Sequence, residues 1–356
     1  MNVKFTNSNF DLFPKATYFI ADIAANHDGS LDRAKALIKL AAESGANAAK
    51  FQNFRAETIV SSKGFQELGK KLTHQSKWTK DVVEVYKEAE LPLEWTEELI
   101  STCVEFGIDY FTAPYDLDYI DYFRTKMPVF KIGSGDITYL ESLNKIAATG
   151  LPVLLATGAS SLEDVKLAVE ILSQNSSQIV IMQCNTNYTG SEDNFKYLNL
   201  EVISQYKEIF PTCGLGLSDH TPGHISVLGA VTLGARFIEK HFTDDKSRPG
   251  PDHGFSLDPH DWKSMVGNTR ILEKSLGDGS KKVEDNELEA QIVQRRALRF
   301  VSDLPRGHVI SQGDLIALRP IPETGISPMD ASLVLGKKIR EQVKADELIT
   351  FDKIDD

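Results

Sequence analysis

Short apolar runs alternate with longer stretches of helical period along most of the chain. The runs are Tyr18–Ile23, Ala46–Phe51, Tyr110–Phe111 with Ile108 before them, Val129–Ile132, Val153–Ala156, Ile179–Gln183, Gly214–Leu217 and Ala235–Glu239. Near-continuous apolar runs separated by amphipathic segments are what a parallel sheet covered by helices requires. Eight such units predict an α/β fold of the (β/α)8 TIM-barrel type. The helical segments carry their own boundary signals. Ser30 stands before an apolar three-and-four spacing that closes at Gly45, and Ser161 and Asp164 are placed as a capping pair for the segment that follows. The segment Arg55–Leu91 is too long for an ordinary strand-to-helix loop and reads as a partly helical lid containing His74, Lys77 and Trp78.

The pattern changes after Leu276-Gly-Asp-Gly-Ser280. The expected organisation is a barrel over 1–279, a linker over 280–296 whose Lys281–Glu289 is charged and apolar-poor, and a small, largely β module over 297–356. That module shows an internal echo, Leu304-Pro-Arg-Gly ahead of Leu315 and Val343-Lys-Ala-Asp ahead of Ile354. A unit of this size is expected to bury little core alone and to lean on a partner surface.

Composition narrows the choice of partners. A net charge of −12 over 356 residues, with no long basic run, argues against nucleic acid or an anionic membrane surface. No apolar stretch approaches the roughly twenty residues of a membrane span, and Met1 to Lys15 lacks a signal-peptide pattern, so a cytoplasmic protein is expected. Cys103, Cys184 and Cys213 form no CxxC pair and read as reduced, buried thiols.

Candidate chemistry gathers where the apolar runs end. His220 in Gly216-Leu-Ser-Asp-His220 and His241 in Phe237-Ile-Glu-Lys-His241 each close a run, and neutral imidazoles converging on a barrel rim can hold a divalent cation: Mn²⁺, Mg²⁺, Fe²⁺ or Zn²⁺. His74, His260 and His308 carry no such pattern. Lys50 and Lys131 lie inside apolar strands, where an ammonium group is costly unless its charge is used. Either they pair with barrel carboxylates or, with Gly133-Ser134-Gly135, they form a site for phosphate or carboxylate. Asp22, at the end of the first run, and Asp252, in a Pro-Gly-Pro-Asp loop, are carboxylates suited to sugar hydroxyls or to moving protons. Cys184-Asn-Thr-Asn-Tyr188 offers amide, hydroxyl and phenol groups, while Cys184 itself has no activating partner and reads as packing.

Together these residues resemble the sialic acid synthase family, the bacterial enzymes that make N-acetylneuraminate and related nonulosonic acids. The match runs through Ala21-Asp-Ile-Ala-Ala-Asn-His-Asp-Gly-Ser30, Lys50-Phe-Gln52, Lys131-Ile-Gly-Ser-Gly135, Ala156-Thr-Gly158, Cys184-Asn-Thr-Asn-Tyr188, Gly216-Leu-Ser-Asp-His220, Ile238-Glu-Lys-His-Phe-Thr243 and Gly250-Pro-Asp-His253. The C-terminal module is similar to the antifreeze-like (SAF) domain of the same family, with Arg319-Pro320 at the place of its functional arginine.

The resemblance implies condensation of phosphoenolpyruvate with an N-acylated hexosamine, N-acetylmannosamine first, to give a nine-carbon 2-keto acid and phosphate. The alternative sugars are the 2,4-diacetamido-trideoxyhexoses that lead to legionaminic or pseudaminic acid. It further implies Mn²⁺, with Mg²⁺ as the alternative, on His220 and His241, and phosphate and carboxylate held by Lys50, Lys131, Ser134 and Ser218. Asp22, Asp252 and Tyr188 would face the sugar, Gln52 and Thr186 would line the substrates, and Asp136 would manage protons. Arg319 would reach the N-acyl end from the partner subunit of a domain-swapped dimer. Four positions depart from the family: Asp22 and Asp136 are shorter than its glutamates, and Ala113 and Ala156 replace hydroxyl residues. Thr112 is not expected to substitute, because adjacent strand residues face opposite sides. The non-enzymatic rival is a carbohydrate- or ice-binding protein on an inactive barrel, and the presence of all the rim lysines, histidines and acids counts against it.

Overall fold

The computed structural model describes residues 11–68, 78, 80–175 and 178–355, so His74 and Lys77 of the expected lid lie outside the described residues. The chain divides into two compact units, one running to Gly277 and the other beginning at Asp278.

The first unit contains strands β1 (Tyr18–Asp22), β2 (Ala48–Asn53), β3 (Asp109–Pro114), β4 (Phe130–Ile132), β5 (Val153–Ala156), β6 (Ile179–Cys184), β7 (Gly214–Asp219) and β8 (Phe237–His241), paired in parallel in the order β3-β2-β1-β8-β7-β6-β5-β4. β3 and β4 lie against each other, so the sheet curls into a near-closed barrel ringed by helices. Several strands run further than the apolar runs predict. β2, β6, β7 and β8 continue to Asn53, Cys184, Asp219 and His241, because their polar last residues keep the ladder while turning side chains into the rim or the outer helices.

Helix α1 (Leu31–Glu43) forms where the pattern predicts it. The Ser30 hydroxyl accepts from Arg33 N, and Ala34, Leu37, Ile38 and Ala41 are buried against the barrel. Gly45 ends the turn with φ of +93°, and a Cβ there would lie 3.1 Å from Val266 Cγ1, so both conformation and space call for glycine. The helix Leu162–Ser173 begins with the reciprocal Ser161–Asp164 capping box. Among the described residues, the segment expected as a lid carries three short helices, α2 (Ala56–Ile59), α3 (Ser62–Glu67) and α4 (Val82–Glu88). No helix among the described residues is long and apolar enough to cross a membrane.

In the second unit, β9 (Ala297–Phe300) pairs antiparallel with β10 (Leu315–Leu318), and isolated bridges complete it. One bridge joins Leu304 to Val343, the first residues of the two echoed segments. The expectation that this unit buries little core is corrected: Leu298, Phe300, Ile310, Val334, Ile339, Val343 and Ile349 are buried together. Tight turns let a short chain fold over one apolar centre. The stretch expected as linker holds a short helix, Leu288–Gln294.

Candidate active site

A cavity of about 410 Å³ opens among the carboxyl ends of the barrel strands. That volume is within the range of small-molecule sites. Asp22, Lys50, Gln52, Lys131, Ser134, Asp136, Thr186, Tyr188, Ser218, Asp252, His220 and His241 all line it, brought together from across the sequence by strand register. Asp22 stands beside Lys50 on one neighbouring strand and beside His241 on the other, while Glu239 stands beside Ser218, and Ser218 beside Cys184. Arg319 belongs to the second unit.

Glu239 is the centre of the charged part and was not singled out from the sequence. Its Oε1 lies 3.6 Å from Lys50 Nζ and 3.5 Å from Lys131 Nζ and accepts from Ser218 Oγ at 3.0 Å. The signal was present as strand period: Glu239 is two residues before His241 and therefore on the same face. Burial pushes its carboxyl up, but Lys131, Lys50 and the Ser218 hydroxyl outweigh that and hold it at about 2. Lys50 Nζ also donates to Asp22 Oδ2 at 2.5 Å. Burial works against its charge, yet Asp22 and Glu239 together raise its pKa. Lys131 is shifted down, by burial first and with Lys50 adding to it, against the pull of Glu239. Both lysines therefore pair with a barrel carboxylate, as the bland reading has it, and both also face the cavity.

The other acids are shifted upward. Burial raises Asp252 to about 7 and Asp136 to about 6, and it raises Asp22 against the opposing effect of Lys50. Asp252 Oδ2 accepts from Ala25 N at 3.2 Å, which ties its loop to the turn after β1. Gln52 Nε2 donates to Asp22 at 3.3 Å. Ser134 Oγ accepts from Gly158 N at 2.9 Å, and a Cβ at Gly158 would fall 2.0 Å from Thr186 Oγ1, so only glycine fits between them. Cys184 is buried with its thiol pKa raised, in keeping with packing. Thr112 turns away from the cavity and donates to Asn53 Oδ1 at 2.7 Å.

His220 and His241 approach with ring centroids 5.4 Å apart, next to Tyr188 and Phe255. Burial, then the neighbouring imidazole for His220 and Lys50 for His241, pushes both to about 3, so both rings are neutral. His220 Nδ1 is 3.0 Å from the Asn185 carbonyl oxygen; as a neutral ring it donates there, which leaves Nε2 with a free lone pair. His241 Nδ1 is buried without a hydrogen-bond partner. Two neutral imidazoles with available lone pairs fit a divalent cation. Among the described residues, the three metal-type ligands drawn tightest together are instead Asp258, His260 and Asp261. His260 is exposed, and Lys246 already pairs with both Asp258 and Asp261, so that group is a surface ion-pair cluster.

Besides Glu239, the sequence reading missed the apolar wall. Phe54, directly after β2, and Ile59, Val85, Tyr86 and Ala89, from the segment expected as a lid, line the same cavity together with that segment's Trp78. Their spacing follows no strand or helix period, because they come from short helices and the turns between them.

A parallel barrel presenting buried lysines, neutral histidines and elevated carboxylates at its strand ends is an enzyme scaffold. The family model NeuB matches residues 37–281 and the SAF domain matches residues 295–355. The chain belongs to the NeuB family, the phosphoenolpyruvate-dependent nonulosonic acid synthases, and carries a C-terminal SAF domain. It is 37% identical to the N,N'-diacetyllegionaminic acid synthase of Campylobacter jejuni, over 94% of this chain and 99% of that one. It is 35% identical to the enzyme of the same name from Legionella pneumophila, over 95% and 94%. Among solved structures, the N-acetylneuraminic acid synthetase of Leptospira borgpetersenii superposes with a TM-score of 0.70 at 28% identity, covering 80% of this chain and 93% of that one.

Proposed function

We propose that this protein condenses phosphoenolpyruvate with a 2,4-diacetamido-trideoxyhexose and water, giving a nine-carbon 2-keto acid of the legionaminic type and phosphate. The observation that carries the reaction is the pairing of Lys50 and Lys131 about buried Glu239, with two neutral imidazoles in the same cavity. The choice of sugar is supported by the apolar wall of Phe54, Ile59, Trp78, Val85 and Tyr86. Methyl groups of a deoxy, diacetamido sugar gain from such a wall, whereas a hydroxyl there loses water without finding a partner. The names of the Campylobacter and Legionella relatives point the same way. N-acetylmannosamine, expected first from the sequence, becomes the comparison substrate.

Lys50, Lys131 and Ser134 would hold the phosphate and carboxylate, with the incoming anion sharing the ammonium groups with Glu239, to which Ser218 donates. C3 of phosphoenolpyruvate attacks the open-chain aldehyde carbon, and the new C–C bond leaves positive charge at C2. Asp252, titrating near 7, supplies the proton taken by the aldehyde oxygen. Water adds to C2 and gives a proton to Asp136. The bond between C2 and the phosphate-ester oxygen then breaks, phosphate leaves with the electron pair, and the C2 hydroxyl gives its proton to the departing phosphate as the ketone forms. A divalent cation on His220 and His241, Mn²⁺ in preference to Mg²⁺, would supply Lewis acidity toward the aldehyde. Asp22, Gln52, Thr186 and Tyr188 would orient the sugar, and Arg319 would meet its N-acyl end from a partner copy in a domain-swapped dimer. The enzyme would work in the cytoplasm, where phosphoenolpyruvate is made.

The test is phosphate release from phosphoenolpyruvate with Mn²⁺, offering both classes of sugar in parallel, with mass spectrometry of the products. Turnover of a diacetamido-trideoxyhexose is expected, with N-acetylmannosamine slower. Turnover of N-acetylmannosamine alone would overturn the sugar assignment, and absence of release with every sugar would overturn the reaction. His220→Ala and His241→Ala should each abolish metal-dependent turnover.

A further inference from the structure

Tyr115 follows directly on β3, its backbone N–H held by Asn53 O at 2.9 Å and its ring edge-on to Phe54 at 6.1 Å. The half-buried side chain lines the cavity, and its hydroxyl makes no hydrogen bond to the described residues. A Cβ on Gly133 would lie 2.7 Å from that oxygen, closer than carbon and oxygen approach without a bond. The phenol therefore sits over the first residue of the Gly133-Ser134-Gly135 turn, in space that only glycine leaves open.

The anion end of the cavity is short of neutral donors. Phosphoenolpyruvate brings a carboxylate and a phosphate, with more acceptor oxygens than two ammonium groups can satisfy. The Ser218 proton is committed to Glu239. Ala156, which also lines the cavity, has no hydroxyl to offer. Ser134, Tyr115 and the unpartnered Thr186 hydroxyl remain, and of these only Tyr115 sits over the first residue of the Gly133-Ser134-Gly135 turn. Burial first, then the carboxylates of Asp136, Asp22 and Glu239, push the Tyr115 phenol above its ordinary pKa, so it keeps its proton throughout the physiological range.

We propose that Tyr115 is a substrate-binding residue whose phenolic O–H donates to the anionic end of phosphoenolpyruvate at the Gly133-Ser134-Gly135 turn, and that Gly133 lacks a side chain to admit it. The inference rests on the proposed anion site at Lys50, Lys131 and Ser134.

Calorimetric titration of the full-length protein with phosphoenolpyruvate alone tests it. Tyr115→Phe, which keeps the ring, should weaken binding about ten- to hundredfold, the loss of one hydrogen bond to a charged group. It should raise KM for phosphoenolpyruvate while leaving KM for the sugar within about twofold. Gly133→Ala should also weaken binding, and more so while the phenol oxygen is present: in the Tyr115→Phe background the nearest ring atoms are 3.3 Å from the new Cβ, a tight contact that a shift of a few tenths of an ångström relieves, so the penalty should shrink. Tyr115→Phe that binds as tightly as the parent, or a Gly133→Ala penalty equal in both backgrounds, overturns the assignment. If Lys131→Met loses binding while Tyr115→Phe keeps it, the anion site stands and only the phenol's role is withdrawn. A parent protein that binds no phosphoenolpyruvate removes both.

Discussion

Two buried clusters of charge share strands β7 and β8, one on each side of the barrel wall. On the outer side Asp219 accepts from Lys240 Nζ at 2.6 Å, Thr221 N at 3.0 Å, Thr221 Oγ1 at 2.9 Å and Ser226 Oγ at 2.5 Å, and Lys240 also donates to Thr221 O at 2.6 Å. On the inner side Glu239 faces two lysines at longer range, and its Oε2, like Thr186 Oγ1 and His241 Nδ1, is buried without a partner. Both clusters occupy the same strands at the same depth. What separates them is saturation: a carboxylate with both oxygens bonded holds shape, and one with an oxygen left over is built to receive something.

The largest effect should come from breaking the unsaturated side. Lys131→Met removes one of two ammonium groups but leaves Lys50 opposite Glu239, and it replaces a buried cation with an apolar side chain of similar length. Steady-state kinetics should show kcat/KM falling by about 10²- to 10³-fold, as expected for loss of one group that stabilises developing charge. Thermal unfolding should show a melting temperature no lower than the parent's. A large loss of stability with little loss of turnover would reverse the assignment of roles.

The mirror experiment is Asp219→Asn, which leaves Lys240 buried opposite a neutral amide. Denaturant titration should show about 3 kcal/mol less stability, the scale of breaking a buried pair. Turnover of the folded fraction should fall by less than about tenfold. Replacing both partners, Asp219→Leu with Lys240→Met, should recover most of the stability, because no uncompensated charge remains. Failure of the double variant to recover would mean that the pair does more than hold β7 against β8.

This contrast explains what was legible in the chain. The eight strands were, because continuous apolar runs leave a parallel barrel few competitors. Lys50 and Lys131 stood out because ammonium groups are out of place in such runs. Asp219 and Lys240 did not separate themselves from Glu239: all three are charged residues within two positions of a histidine, and only strand alternation, once the true strand ends are known, sends Asp219 and Lys240 outward and Glu239 inward. The strand ends were misplaced by the polarity of the very residues that matter. Tyr115 and the lid residues were beyond pattern reading, since their positions depend on loops whose course is set by packing.

The smallest effect tests the inner side's remaining acid. Burial raises Asp136 to about 6, whereas Lys240 and its hydrogen bonds hold Asp219 below the usual carboxylate range despite burial. As a base, Asp136 works only when ionised, so the rate should climb as pH rises through about 6, and Asp136→Asn should flatten that limb. Stability should move the other way. A carboxyl whose folded pKa is raised favours the folded state below its unfolded value, near 4, and loses that contribution as pH rises through about 6. Melting temperature followed across this window should therefore decline in the parent relative to Asp136→Asn while activity increases. Opposite slopes for rate and stability, tied to one side chain, are the mark of a group kept short of satisfaction for use; parallel slopes would place Asp136 with Asp219, among the residues that only hold the barrel together.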